Sequence, residues 1–448
     1  MRFFLFFMGL RDLQLYEKYI KIPGFNNIPE HIIPFEKRLR YYIKSPSPPM
    51  KKIGIIALLI LSGNTLAGQI TGSGITGNAS SPIQTAVPFL LIAPDAISTG
   101  MGDAGVASAP GINSQHWNPG KYAFMEKAGG IALSYTPWLT NLIPDIHHVY
   151  LAGYYRAGEK NTISSSFRYF SRGTLIDGSG PSGVEYHPVE LAVDAGYTRQ
   201  FTGHFSGGIV LRYIYSDLSG GQPAPYGEET KPGTSVAGDI GLYYQDEIKI
   251  GGKDALWAAG LNLSNIGTPV AYTEDTEKTP IPTNLRIGGR FLYHLHENHS
   301  ISLQVDANKL LVPTPPLYAT DSATGDKYLV AGKESPESLL FGMFQSFYDA
   351  PGVLKEDGTR SVFIEEIHEI SLGIGAEYSY RNQFAVRTGY FHEHDSKGVR
   401  RYITVGLGAR FSFLGLDLSY LIPTYENRPL KNTFRVTLSA GFGNLSST

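Results

Sequence analysis

The chain has 448 residues, 42% of them hydrophobic and 12% aromatic, enough to build a large folded core. It contains 51 Gly and 28 Tyr but no Cys, which excludes disulfide staples, thiolate metal sites, a cysteine nucleophile and a lipid-modified N-terminal cysteine. A formal charge of -2 argues against a nucleic-acid partner, because neutralising phosphates takes a basic face.

In chain order, the first signal is Met50-Lys51-Lys52, followed by the apolar run Ile53 to Leu61 and then Thr65-Leu66-Ala67. A positive start, a short apolar stretch and a small-residue cleavage site read as a secretory signal peptide. The expectation is therefore a mis-called extension over 1–49, a signal peptide over 50–67 and cleavage after Ala67. Removing residues 1–67 takes away ten Lys/Arg and four Asp/Glu, leaving 28 basic and 36 acidic residues and a net charge of -8. After position 70 no run of eighteen apolar residues exists, so no helical membrane span is predicted there.

Residues 68–127 contain "GMGDAG", Gly100 to Gly105, which satisfies the glycine spacing of a dinucleotide-binding turn. That turn needs a buried strand before the first glycine and a helix of several turns after it. Here Pro94 cuts the apolar run Phe89 to Ile92, and Pro110-Gly111 leaves no room for the helix. Glu126 stands at the distance of a ribose-binding acid, but it cannot replace the missing strand and helix. The nucleotide reading fails.

From about residue 129 the chain alternates with period two in segments of eight to twelve residues. Phe434, Val436, Leu438, Ala440 and Phe442 alternate with Arg435, Thr437, Ser439 and Gly441. Comparable alternation runs over Ile403 to Ser412 and Ser371 to Tyr380. This is the period of a strand. About fourteen such segments can be counted, an even number as bacterial barrels have. Short turns near 158–161, 199–204, 246–253, 295–299, 381–383 and 413–415 alternate with longer loops near 139–147, 171–188, 216–233, 265–282, 308–366, 394–400 and 422–432. A sandwich has no reason to segregate loop lengths, whereas a membrane barrel has short periplasmic turns and long extracellular loops. The predicted fold class is all-β, a transmembrane antiparallel β-barrel of about fourteen strands spanning 128–448, with 308–366 as its largest extracellular loop. Tyr154, Tyr155, Tyr378, Tyr380 and Tyr390 at strand ends suit interfacial girdles. Arg286, Arg290, Arg387, Arg410 and Arg435 are expected to point inward and neutralise Asp306, Glu377 and Asp417.

With an exported barrel argued, the stretch "FLLIAPDAISTGMGDAGVASAPGINSQHWNPGKYAF" (Phe89 to Phe124) and the following "LSYTPWLTNL" resemble the PorV family, outer-membrane barrels of the type IX secretion system in Bacteroidetes. That family is itself FadL-like. "NLSNIG" (Asn262 to Gly267), "PTNLRIG" (Pro282 to Gly288), "DANKLLVPTPP" (Asp306 to Pro316) and "YLIPTYENRPLKNTFRVTL" (Tyr420 to Leu438) extend the resemblance from about residue 82 to the C-terminus. It implies an N-terminal plug segment over 68–127, whose motif residues are Gly100, Gly102, Asp103, Gly105, Asn118 and Pro119. The glycines then serve close approach to the barrel wall. The family tends to carry Arg after Pro-Asp-Ala where this chain has Ile97-Ser98, so an arginine anchor between plug and lumen carboxylate is missing.

The resemblance also implies a non-enzymatic role in the outer membrane. Such proteins bind the C-terminal sorting domain of secreted cargo at the translocon barrel and deliver it to a sortase-like attachment component. The alternative is a FadL-type transporter of hydrophobic small molecules. No cofactor is expected. His294/His296 and His392/His394, the latter with Asp395, read as solvated loop-edge histidines rather than metal ligands, and no G-x-S-x-G or P-loop pattern is present. Partner contact is expected on two extracellular loops, through Trp138, Leu142 and Ile143 and through Leu310, Val312, Phe341 and Phe344. N-terminal sequencing of protein from the outer membrane should begin at Gly68; any residue before Met50 would contradict the assigned start.

Overall fold

Fourteen strands pair in sequence order, the first closing on the last, as one antiparallel barrel. The computed structural model describes residues 82–139, 145–177, 184–220, 230–273, 278–321, 324–424, 430 and 433–444. The signal peptide, Leu142 and Ile143 lie outside the described residues. The barrel strands are β1 (Lys127–Pro137), β2 (Ile146–Arg156), β3 (Asn161–Arg172), β4 (Val189–Gln200), β5 (Phe205–Asp217), β6 (Gly233–Ile250) and β7 (Lys253–Gly267). They continue as β8 (Asn284–His296), β9 (His299–Leu310), β10 (Ile370–Tyr380), β11 (Phe384–His392), β12 (Arg401–Phe411), β13 (Leu414–Pro423) and β14 (Phe434–Asn444). Closure is made by β1 against β14, with Leu133 opposite Leu438 and Tyr135 opposite Val436. The strand count and the alternation of short turns with long loops agree with the sequence reading.

The alternation sets the two faces. Ile131, Leu133 and Tyr135 of β1, and Leu372, Ile374 and Tyr378 of β10, are exposed on the outer wall. Their inward neighbours, such as Ala132, Ser134 and Thr136, are buried. Apolar outside and polar inside is the arrangement that hydrocarbon demands of a barrel.

The polar interior encloses the N-terminal segment. Helix α1 (Ala96–Thr99) packs on β12, β13 and β14. Helix α2 (Ser114–Trp117) touches β3, and the 3-10 turn Pro119–Phe124 packs on β3 to β6. The segment thus bridges widely separated strands of the ring. Asp95 caps α1 by accepting from the Ile97 and Ser98 amides. Its other oxygen accepts from Trp117 Nε1 at 2.5 Å, tying the two helices together. Asn118 accepts from the Gly120 amide across Pro119 and donates to Leu242 O on β6 at 2.8 Å.

Anchoring runs opposite in polarity to the missing-arginine expectation. In the contacts that follow, the lumen supplies the charges and the segment supplies its backbone. Arg435, Arg168 and Arg286 donate to the carbonyls of Ala93, Leu90 and His116 at 2.9 to 3.0 Å. Asp306 accepts from the amides of Gly105 and Val106 at 2.6 and 2.8 Å. Hydrogen bonds to charged groups contribute about 1.5–3 kcal/mol each, so a few suffice without an arginine at position 97.

This corrects the expected ion-pair network. Arg387 bridges Glu377 (2.6 Å) and Asp417 (2.8 Å), and Arg410 reaches Asp417 at 2.8 Å, as expected. Arg286 and Arg435 instead serve the enclosed segment, and Arg290 donates to Ser302 at 2.9 Å. A further luminal network was not anticipated: Arg212 binds Asp194 and Asp239 in forked fashion at 2.8 to 3.1 Å, all three buried.

Gly102 has φ +69°, and a Cβ there would stand 2.6 Å from the carbonyl oxygens of Ile374 and Tyr390. The wall is thinned to match: a Cβ on Gly389 of β11 would reach Gly102 Cα at 2.8 Å. Gly389→Val should therefore expel the 100–105 stretch, since overpacking by extra methyl groups costs about 1–3 kcal/mol. Expected is a barrel that keeps its heat-modifiable gel shift while its N-terminal segment becomes sensitive to added protease; unchanged protease resistance would contradict the close contact.

Candidate docking surface at the extracellular mouth

The loop between β9 and β10 carries two short helices, α3 (Leu339–Gln345) and α4 (Val362–His368). In α3, Gly342 and Met343 turn inward, Gly342 against Pro313. Leu340, Phe341 and Phe344 turn outward, and Phe341 and Phe344 are 71% and 68% exposed. Spacings of three and four residues place these side chains together on one face of a helix. Phe347 and Tyr348, also exposed, follow directly.

Helix α4 is capped by Ser361, whose Oγ accepts from the Ile364 amide. Its inward side is carboxylate. Lys309 Nζ meets Glu366 at 2.9 Å and Glu369 at 2.6 Å. Lys397 Nζ meets Glu365 at 2.7 Å and Glu369 at 3.0 Å. Glu366 also accepts from the Ala350 amide, Glu365 from the Gly352 amide, and Glu369 from Thr314 Oγ1. The cluster clamps the large loop onto the 393–400 loop. Burial opposes the charge of Glu369, but Lys309 and Lys397 outweigh it and hold its carboxyl below the ordinary value. Asp349 goes the other way: burial, with Glu366 and Glu369 close by, pushes its carboxyl up to about 7.

The remaining predicted contact residues separate here. Trp138 is partly buried, packed against both apolar clusters of the mouth, with the Arg435 guanidinium over its ring at 5.5 Å. Val312 is 3% exposed and Leu310 is partly buried, so neither offers a partner a full side chain. Burial won at these positions over display to a partner. Phe341 and Phe344 remain open on the surface. His392 and His394 stand at the same mouth. His394 is partly exposed and lies flat on His368 with ring centroids 3.4 Å apart, and Asp395 pairs with Arg401.

Beneath the loops, a cavity between the N-terminal segment and the wall is lined by Asp103, Trp117, Arg286, Phe391, Lys397 and Arg400. Its walls carry six charged side chains, Glu369 and Glu393 among them. Arg400 is held by Glu393 at 2.7 Å and Asp103 accepts from Tyr402 at 2.5 Å. The charged lumen was expected, but the clamp was not foreseen. The available signal was Lys309, a cation ending an outward phase that is apolar from Ile301 to Ala307.

Residues 76–317 match the family described as "Type IX secretion system protein PorV", more than half of the chain. No curated protein matches the chain in sequence. Among solved structures the chain is similar to the toluene transporter TodX of Pseudomonas putida (11% identity, 81% of this chain and 98% of that one, TM-score 0.43). It is also similar to the toluene transporter TbuX of Ralstonia pickettii (13% identity, 78% and 98%, TM-score 0.42). A FadL homologue of Pseudomonas aeruginosa is a further neighbour (9% identity, 81% and 100%, TM-score 0.35). The chain belongs to the PorV family, the outer-membrane barrel components of the type IX secretion system.

Proposed function

We propose that this barrel receives secreted cargo at the type IX translocon by binding the cargo's C-terminal sorting domain. It then delivers the cargo to a sortase-like attachment component on the cell surface. In this reading it performs no catalysis and needs no cofactor, and residues 82–126 act as a structural plug. Gly100, Gly102, Asp103, Gly105, Asn118 and Pro119 shape that plug rather than bind a ligand.

One observation carries the reading beyond family membership: the open aromatic face of α3, Phe341 and Phe344, on a loop that the ionic clamp holds in place. Exposed aromatics on a fixed scaffold are the side chains that anchor protein interfaces. The lumen favours handover at the surface over conduction through the barrel, since the N-terminal segment and charged side chains occupy it. A transporter of hydrophobic molecules needs an apolar path.

Phe341→Ser and Phe344→Ser should leave barrel insertion and heat-modifiability unchanged. Each should weaken binding of a purified sorting domain to the solubilised barrel by about 2 kcal/mol, a roughly 30-fold loss in affinity. In cells, cargo should then accumulate unattached. Wild-type affinity in the double variant would place docking elsewhere.

A further inference from the structure

Helix α4 is built inside out. Glu365, Glu366 and Glu369 are buried, while Phe363 is 74% exposed and Ile364 and Ile367 stand open beside it. A surface helix in water normally shows the reverse. Two further observations say which medium covers the apolar face.

The first is Lys309. On β9 the outward phase runs Ile301, Leu303, Val305, Ala307 and Lys309, yet Lys309 is only 7% exposed. Its ammonium is covered by Glu366 and Glu369, with the Phe347 ring 5.7 Å away. The carboxylate side of α4 therefore closes over the top of a lipid-facing column. The second is continuity. Ile370, paired with Lys309, opens β10 directly after α4, and its outward phase continues through Leu372 and Ile374. Ile367 and Ile370 thus extend one apolar column from strand to helix.

We propose that the outward face of α4, formed by Phe363, Ile364 and Ile367, is a lipid-contact surface seated at the acyl-chain boundary of the outer leaflet. The ionic clamp removes from that boundary every charge the helix carries, and the apolar side chains lengthen the hydrophobic belt above β9 and β10. Interfacial helices elsewhere bury one apolar face in the same layer. This surface depends on insertion of the barrel and not on cargo docking, so it stands or falls apart from the role of α3.

The absence of cysteine makes a clean test available. Single Phe363→Cys and Ile367→Cys variants are labelled with a fluorophore and reconstituted in dioleoylphosphatidylcholine vesicles. Nitroxide-bearing phosphatidylcholine and aqueous iodide serve as the two quenchers. Leu303→Cys on the outer wall and Asp357→Cys on the exposed loop tip are the references, and the heat-modifiable shift confirms that each is folded. Expected is lipid quenching at 363 and 367 approaching that at 303, with iodide quenching several-fold below that at 357. Iodide quenching equal to that at 357 would overturn the proposal. So would shielding from both quenchers, which would mean that protein covers the face.

Discussion

No backbone amide or carbonyl can be left unpaired in hydrocarbon, and the rest of this structure follows from that constraint. Fourteen strands satisfy it by closing β1 on β14. Closure forces every other side chain into a lumen sealed from lipid, and the lumen must then satisfy its own polar groups. The chain meets that second demand with its N-terminal segment. Arg168, Arg286 and Arg435 find carbonyls there, and Asp306 finds amides. Segment and wall complete one another, and small wall residues such as Gly389 let two backbones meet where side chains would keep them apart.

The same economy of charge governs the mouth. Three glutamates and two lysines are withdrawn into a clamp between the large loop and the 393–400 loop. Removing one partner from such a buried set typically costs about 3–5 kcal/mol, because the other charges stay desolvated. The clamp fixes a loop whose two short helices turn aromatic and aliphatic side chains outward. Phe341 and Phe344 face away from the barrel on one helix, and Phe363 and Ile367 on the other.

Much of this was legible in the sequence. Period-two alternation gave the strands, and the alternation of short and long connections gave the membrane, because both follow from local chain geometry. What stayed hidden depends on contacts distant in sequence. Nothing near Asp306 says that it will accept from amides two hundred positions earlier, and Arg212 shows its two carboxylate partners only once β4, β5 and β6 lie side by side. Trp138 and Val312 read as surface anchors because loops are usually outside; Trp138 instead packs against the apolar clusters of the mouth, and Val312 is buried. Helix α4 shows the opposite case. Its glutamates look solvated until Lys309 and Lys397 are placed beneath them.

Membership of a secretion family, a filled lumen and an open aromatic face on a clamped loop support the proposal that cargo is handled on the outside of the barrel and not passed through it. Site-specific photo-crosslinking in growing cells tests this most directly. A benzophenone side chain placed at Phe344 should capture the sorting domain of secreted cargo, while one placed at Thr404 in the lumen should capture only the N-terminal segment of the barrel itself. Cargo captured at position 404 and not at 344 would contradict the account.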